Sequence, residues 1–309
     1  MVNIVWLQGG GCTGCSVSFL NAQEPDVVQA IQRFGLDVVF HPTVGLISGK
    51  EALNRLEELK SGKISPDVLV VEGSVPLGPD GTGRYCMIGD IPFKDIVEDL
   101  AQKSAYTVAV GSCACWGGLP GAKENTIEHV GLQFRKTQMG GLLGRNYRSG
   151  AGLPVINLPG CPVHPDWVIQ SLAALLLGYD VELDEFNRPK EFFAYYPHEG
   201  CSRNEYYDWK IDPEHLGDKG GCLYWEYGCK APFTHADCNK RLWNRQSSCP
   251  RVGAPCIACV DPDFPDMSTP FFKRKDIPTT GIKKLFYMGG AAMMIMARPS
   301  EIVERHKKR

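Results

Sequence analysis

A chain of 309 residues with 43% hydrophobic side chains is long enough for about two domains, with a core that removes roughly three-quarters of the unfolded surface from water. The formal charge of -2 leaves no basic face for nucleic acid, and no apolar run reaches the roughly 18 residues that a membrane-spanning helix needs. Thirteen cysteines are the compositional outlier, and seven of them fall within the 59 residues from Cys201 to Cys259.

The chain opens on an apolar run, Ile4–Leu7, that reads as a buried strand. Directly behind it stands Gly9-Gly10-Gly11-Cys12-Thr13-Gly14-Cys15-Ser16, whose glycines permit a sharp turn and a close approach. Three readings compete for this stretch. A phosphate loop needs a lysine where Cys15 stands. A Cys-x2-Cys redox pair also favours a strand-to-helix turn. A metal or cluster site requires further ligands elsewhere. Disulfides suit small secreted domains, whereas this sequence starts in a strand with no signal peptide, so metal ligation in a cytoplasmic protein is the expectation.

Further strands are expected at Val38–Phe40, Val68–Val71, Thr107–Val110 and Val155–Leu158. Helical patterns lie between and after them, over Asp26–Phe34, Lys50–Leu59, Phe93–Gln102 and Asp166–Leu177. Pro25, Pro92 and Pro165 precede three of these helices, and Gly35, Gly62 and Gly178 follow the last turns of three. The alternation predicts a parallel sheet with helices on both faces. The long connection from Gly111 to Pro154 is expected to hold a short helix near Glu124–Phe134. Gly140-Gly141-Leu142-Leu143-Gly144 reads as a flexible surface loop.

The cysteines sit at particular places in this scheme. Cys12 and Cys15 follow the first strand, Cys113 the fourth and Cys161 the fifth, so thiolates from three loops are expected on the sheet edge where open α/β folds bind ligands. Glu72 ends the third strand on the same edge. Glycine- and proline-rich turns such as Gly111-Ser112-Cys113 and Pro159-Gly160-Cys161-Pro162 offer backbone amides to sulfides.

Beyond Tyr179 the periodicity fades, and ligand candidates follow one another: His198-x2-Cys201, Cys222-x6-Cys229, Cys238, Cys249 and Cys256-x2-Cys259. None of these forms the ferredoxin run Cys-x2-Cys-x2-Cys-x3-Cys. Zinc held by four cysteines, or by three cysteines and a histidine, is the physical alternative to iron–sulfur clusters, and would make this a zinc-stabilised interaction protein.

His198-Glu199-Gly200-Cys201-Ser202-Arg203, Gly228-Cys229-Lys230-Ala231-Pro232 and Pro255-Cys256-Ile257-Ala258-Cys259 resemble motifs of the small, electron-transferring subunit of nickel–iron hydrogenases. Cys12-Thr13-Gly14-Cys15-Ser16, Gly111-Ser112-Cys113-Ala114 and Pro159-Gly160-Cys161-Pro162 are similar to that family's signature for the cluster nearest the active site. Asn244-Arg245-Gln246-Ser247-Ser248 resembles the cytoplasmic uptake or sensory branch.

The resemblance implies a flavodoxin-like α/β domain over residues 1–180 and an irregular iron–sulfur domain over 181–309. It implies three clusters in a row. The proximal 4Fe-4S cluster takes Cys12, Cys15, Cys113 and Cys161. The distal 4Fe-4S cluster takes His198, Cys201, Cys222 and Cys229. The medial cluster takes Cys238, Cys256 and Cys259, with Cys249 as a fourth ligand where many relatives hold a three-cysteine 3Fe-4S centre, so 4Fe-4S is expected here. Cys86 and Cys115 are left over and read as buried thiols.

Gly14 and Gly118 stand where some oxygen-tolerant relatives add cysteines around the proximal cluster, which implies an ordinary centre. Gly11 and Val17 replace glutamates found in relatives, which implies a raised proximal potential. The Cys222–Cys229 interval is one residue longer than in those relatives.

The implied partner is a large subunit that holds the nickel–iron centre, in a heterodimer or a larger assembly such as a dimer of heterodimers. The implied acceptor is a quinone or a redox protein, and a hydrogen-sensing pair is the alternative use of the same machine. The apolar residues Phe264, Phe271, Phe272, Phe286, Tyr287, Met288, Met293, Met294 and Met296 are expected to dock to the partner. Lys307-Lys308-Arg309 would suit peripheral attachment to a membrane surface.

Overall fold

A computed structural model describes residues 1–272 of the chain. The expected docking residues Phe286 to Met296 and the tail Lys307-Lys308-Arg309 lie outside them. Among the described residues no helix is long and apolar enough to cross a membrane.

Two compact units make up the described chain. The first comprises residues 1–195 with 235–237 and 258–268; the second comprises 196–234, 238–257 and 269–272.

The first unit is built on five strands: β1 (Val2–Gln8), β2 (Leu36–Phe40), β3 (Val68–Glu72), β4 (Tyr106–Val110) and β5 (Ile156–Leu158). They pair in the order β5-β4-β3-β1-β2, and every pairing is parallel. This is the flavodoxin-like order, with its switch point between β1 and β3. All five strands stand where their apolar, β-branched runs predict.

The helices α2 (Val27–Phe34), α3 (Gly49–Lys60), α4 (Phe93–Lys103) and α6 (Pro165–Leu176) also match the periodic segments. Asp26 caps α2 by accepting from Gln29 N–H, and Gly35 closes it at φ 61°, where a side chain would be strained. Two short helices follow strands directly, α1 (Gly14–Phe19) and α5 (Gly111–Trp116).

One face of the sheet, with Val5, Leu7, Leu69, Val71 and Ala109, packs against Leu56 and Leu59 of α3 and Phe93, Ile96, Val97 and Leu100 of α4. The opposite face carries Trp6, whose ring packs on Phe19 of α1 at 5.2 Å and stacks on His41 at 5.1 Å. β3 is buried along its whole length, as a strand covered on both sides must be.

The expected helix at Glu124–Phe134 does not form. Glu124 and Glu128 adopt φ 63° and 60°, and Val130 pairs with Val75 instead. Leu132 N–H donates to Ala114 O and Lys136 N–H, just beyond the stretch, to Trp116 O, while the amides of Thr126, Glu128 and Gly131 bond to the nearby carbonyls of Glu124, Asn125 and Phe134 in turns rather than in helical register. The glycine string is packed, not a free loop. Leu142 N–H donates to Gly131 O and Leu143 N–H to Leu132 O, and a Cβ at Gly141 would stand 2.3 Å from Gly131 O. Phe264, expected at a docking surface, is a core residue of the first unit at 2% exposure.

The first unit also holds a further short helix, α7 (Lys190–Phe193). The second unit contains two more, α8 (Asn204–Asp208) and α9 (Tyr224–Tyr227), which the irregular sequence did not announce. Among the described residues its apolar cluster holds Leu223, Cys229 and Ala231, with Tyr224, Tyr227 and Cys256 against them.

Candidate metal centres

Cys12 and Cys15 leave β1, Cys113 lies on α5 just after β4, and Cys161 follows β5. Gln8, Glu72, Val110 and Leu158 are in register across β1, β3, β4 and β5, so these loops start from one edge of the sheet. The thiols interact with one another there. Burial pushes the Cys15 thiol well above its ordinary value, and the Glu72, Cys113 and Cys161 charges add to that, against an opposing hydrogen bond from the Val163 backbone. Cys113 is pushed up to about 12, by burial first and then by Cys161, with Cys12 and Glu72 adding less and the Leu119 backbone opposing. Cys161 is raised by burial and then by Cys12.

Cys12 is exposed, but Cys15, Cys113 and Cys161 are desolvated, and such a group is unfavourable as thiolates alone. It becomes favourable around a cationic centre, because a metal holds coordinating thiols deprotonated.

Glycines leave room beside the sulfurs. A Cβ on Gly111, which sits at φ 85°, would lie 2.5 Å from Cys15 Sγ. On Gly118, at φ 53°, it would lie 2.8 Å from the Cys113 backbone and 2.9 Å from its Sγ. A Cβ on Gly14 would meet Cys12 Sγ at 3.1 Å. The amides of Gly9 and Gly10 donate to the carbonyls of Glu72 and Ser74 at 2.8 Å each. The amides facing thiols come from Val163 and Leu119 instead.

Glu72 is 4% exposed and anchors the opening loop. Its Oε1 accepts from Cys15 N (2.8 Å) and Ser16 N (3.1 Å). Its Oε2 accepts from Ser16 Oγ (2.5 Å), Trp6 Nε1 (3.2 Å) and Gln8 Nε2 (3.2 Å). Behind Ser16 stands His41, whose Nε2 is 3.3 Å from Ser16 Oγ. His41 Nδ1 accepts from the amides of Thr43 and Val44 at 3.1 and 3.3 Å, so the proton is on Nε2 and is donated to Ser16. Sequence reasoning missed His41, since one histidine after a strand has no motif around it.

Ser112 links the other two loops. Its N–H donates to Gly160 O at 3.0 Å, its Oγ accepts from Gly160 N at 2.9 Å, and the same hydroxyl donates to the carbonyl of Cys259. Cys115, by contrast, is fully buried, its S–H directed to Ala109 O at 3.5 Å. Burial raises its thiol far above the ordinary value, which keeps it protonated. Cys86 is half-buried at the margin of the core.

In the second unit, His198, Cys201, Cys222 and Cys229 line one pocket together with Arg203, Tyr224 and Pro250. Cys222 is pushed up to about 12 by burial, with Cys229 and Cys201 adding to it. Burial likewise raises Cys201 and Cys229. Each of these three sulfurs is opposed by a hydrogen bond from the backbone two residues on, at Arg203, Tyr224 and Ala231. Burial lowers the His198 pKa, against Asp208 and Glu199, which favours the neutral imidazole that a metal ligand requires.

The remaining candidates fall in both units. Cys238, Cys249 and Cys256 belong to the second and Cys259 to the first. Cys256 N–H donates to Cys229 Sγ at 3.2 Å, and Lys230 N–H returns a bond to Cys256 O at 2.8 Å. Cys249 is exposed as a residue while its thiol is desolvated and raised by burial. Among the described residues no three His, Cys, Asp or Glu side chains stand close enough to hold a single metal ion.

Residues 12–175 match the family described as NADH ubiquinone oxidoreductase, 20 Kd subunit, and residues 193–272 match the family of the C-terminal part of the NiFe/NiFeSe hydrogenase small subunit. The F420 non-reducing hydrogenase I small subunit of Methanosarcina mazei is 43% identical over 294 residues, 87% of this chain and 75% of that one. The periplasmic [NiFeSe] hydrogenase small subunit of Desulfomicrobium baculatum is 38% identical over 291 residues, 87% of this chain and 86% of that one. Among solved structures, the [NiFeSe] hydrogenase of Desulfovibrio vulgaris Hildenborough superposes with a TM-score of 0.76 at 36% identity, over 88% of this chain and 97% of that one.

Proposed function

The chain belongs to the small-subunit family of nickel–iron hydrogenases, and from that membership we propose that it relays electrons from H2 oxidation in a large-subunit partner through three iron–sulfur clusters to an acceptor. It is the electron-transfer part of a hydrogenase whose catalytic centre lies in the partner. When bound, the clusters supply one-electron redox centres between that catalytic centre and the acceptor. The observation that carries the reading is the convergence of Cys12, Cys15, Cys113 and Cys161 from three loops on the β1/β3 switch-point edge.

Those four residues hold the proximal 4Fe-4S cluster. Gly111, Gly14 and Gly118 keep space beside the sulfurs, and Glu72 fixes the backbone of the Cys12–Cys15 loop. His198, Cys201, Cys222 and Cys229 hold the distal 4Fe-4S cluster; a neutral histidine there makes the site less negative than four thiolates would. Cys238, Cys249, Cys256 and Cys259 hold the medial cluster, which is 4Fe-4S with Cys249 as a ligand and 3Fe-4S without it. Together the sets use eleven of the thirteen cysteines and one histidine.

Within the first unit the Ser112 hydroxyl, next to proximal Cys113, donates to the carbonyl of Cys259, and within the second Cys256 N–H donates to the sulfur of distal Cys229. The acceptor is a quinone or a redox protein that takes electrons at His198.

The heterodimer should be brown, carry about twelve iron atoms from three four-iron clusters and reduce a dye under H2. A colourless protein with stoichiometric zinc overturns the proposal.

A further inference from the structure

Arg203 stands two residues after Cys201 and is 3% exposed. Its Nε donates to Pro250 O at 2.6 Å. Nη1 donates to Gly220 O at 2.8 Å and Gly221 O at 2.7 Å, and Nη2 donates to Asp218 O. All four bonds end on backbone carbonyls. Gly221 directly precedes Cys222, and Pro250 directly follows Cys249. One planar fork therefore ties together the chain segments that present Cys201, Cys222 and Cys249. The Gly221 turn, at φ 80°, has little slack of its own, since a Cβ there would come within 2.2 Å of Pro213 N.

Carbonyl dipoles satisfy the donors of a guanidinium but do not cancel its charge, and burying a charge without a counter-charge is costly. Arg203 lines the same pocket as Cys201, Cys222 and Cys229, so the guanidinium charge stands beside the thiols of that pocket.

We propose that Arg203 is a positioning residue of the distal site and its buried counter-charge, fixing the Cys201, Cys222 and Cys249 loops and raising the reduction potential of the cluster that Cys201 and Cys222 hold. The inference rests on the distal ligand set proposed above. Its sign follows from charge: reduction adds an electron to the site, and a nearby cation in a low-dielectric setting stabilises the reduced form. Lysine keeps the charge but lacks the fork, so the two roles separate in Arg203→Lys and Arg203→Gln.

The test uses the intact heterodimer, with redox titrations of the distal cluster followed by EPR and with the rate of iron release to a chelator. Arg203→Gln is expected to shift the distal midpoint to more negative potential. Arg203→Lys is expected to hold the midpoint near wild type while releasing distal iron several-fold faster. An Arg203→Gln midpoint equal to wild type overturns the counter-charge. If Arg203→Gln assembles no distal cluster, Arg203→Lys decides, and wild-type values for both its midpoint and its iron release overturn the proposal. The distal assignment fails separately, if no cluster signal of the Arg203-intact protein changes on His198→Cys.

Discussion

Glu72 fixes the opening loop by accepting five hydrogen bonds, two of them from the amides of Cys15 and Ser16. Glu72→Ala leaves the Trp6 indole and both amides without their acceptor. It is expected to destabilise the heterodimer by about 3 kcal/mol, on the basis of roughly 1–3 kcal/mol for each buried group left unsatisfied. A lowered thermal transition checks this, and an unchanged one counts against the anchor. His41 gives a pH signature. Burial lowers its pKa from 6.5, with Glu72 opposing. Between the folded value and about 6.5 the unfolded chain binds the extra proton, so stability rises with pH across that window and is lost as pH falls through the folded value. His41→Gln should flatten the dependence below pH 6.5 in acid-unfolding curves and leave it unchanged above. At Cys249, oxidised wild-type protein should show no 3Fe-4S signal and Cys249→Ser should produce one. A 3Fe-4S signal in the wild type removes Cys249 from the ligand set.

Elements decide where these residues meet. β1 and β3 are in register from Ile4–Val68 to Gln8–Glu72, so the opening loop and the Glu72 carboxylate leave the sheet at one level. α1 and α5 are six residues each, start at Gly14 and Gly111, and hold Cys15 and Cys113 close to the strand ends. Gly111→Ala puts a methyl group 2.5 Å from Cys15 Sγ at a φ of 85°. The variant is expected to lose the proximal cluster, read as a deficit of about four iron atoms per heterodimer. Full iron content would show that α5 has slack that the static contact hides. Periodic segments such as α3 and α4 were legible because each carries its own apolar stripe. Residues 124–134 were not, because Leu132 N–H bonds to Ala114 O and Val130 pairs with Val75, partners set by tertiary contact.

At the scale of the whole chain, the two units differ in what holds them. The first has a five-stranded sheet with apolar packing on one face from Val5 to Val155. The second has, among the described residues, a cluster of three buried apolar residues, with Arg203 and backbone hydrogen bonds tying its loops and the proposed centres as further links. Metal binding in such a unit is folding free energy. Stripping the clusters with a chelator should therefore open the second unit first, with early protease cuts between residues 196 and 257 and a surviving fragment of the first unit. Simultaneous loss of both would show that the clusters stabilise the chain as a whole.

The amino-acid sequence by itself determined the βα alternation, the parallel sheet and the identity of the ligand candidates. Strand and helix periods are local, and cysteines spaced as in Cys12-x2-Cys15 or Cys256-x2-Cys259 carry their chemistry in their own side chains. Only the tertiary structure decided what surrounds them. It assigned Ser112 to the Cys259 carbonyl, His41 to Ser16, the Cys256 amide to the Cys229 sulfur, and a buried guanidinium to the carbonyls beside Cys222 and Cys249. These contacts join residues from 18 to 147 positions apart, and a hydrogen bond across such a gap leaves no periodic trace in the chain.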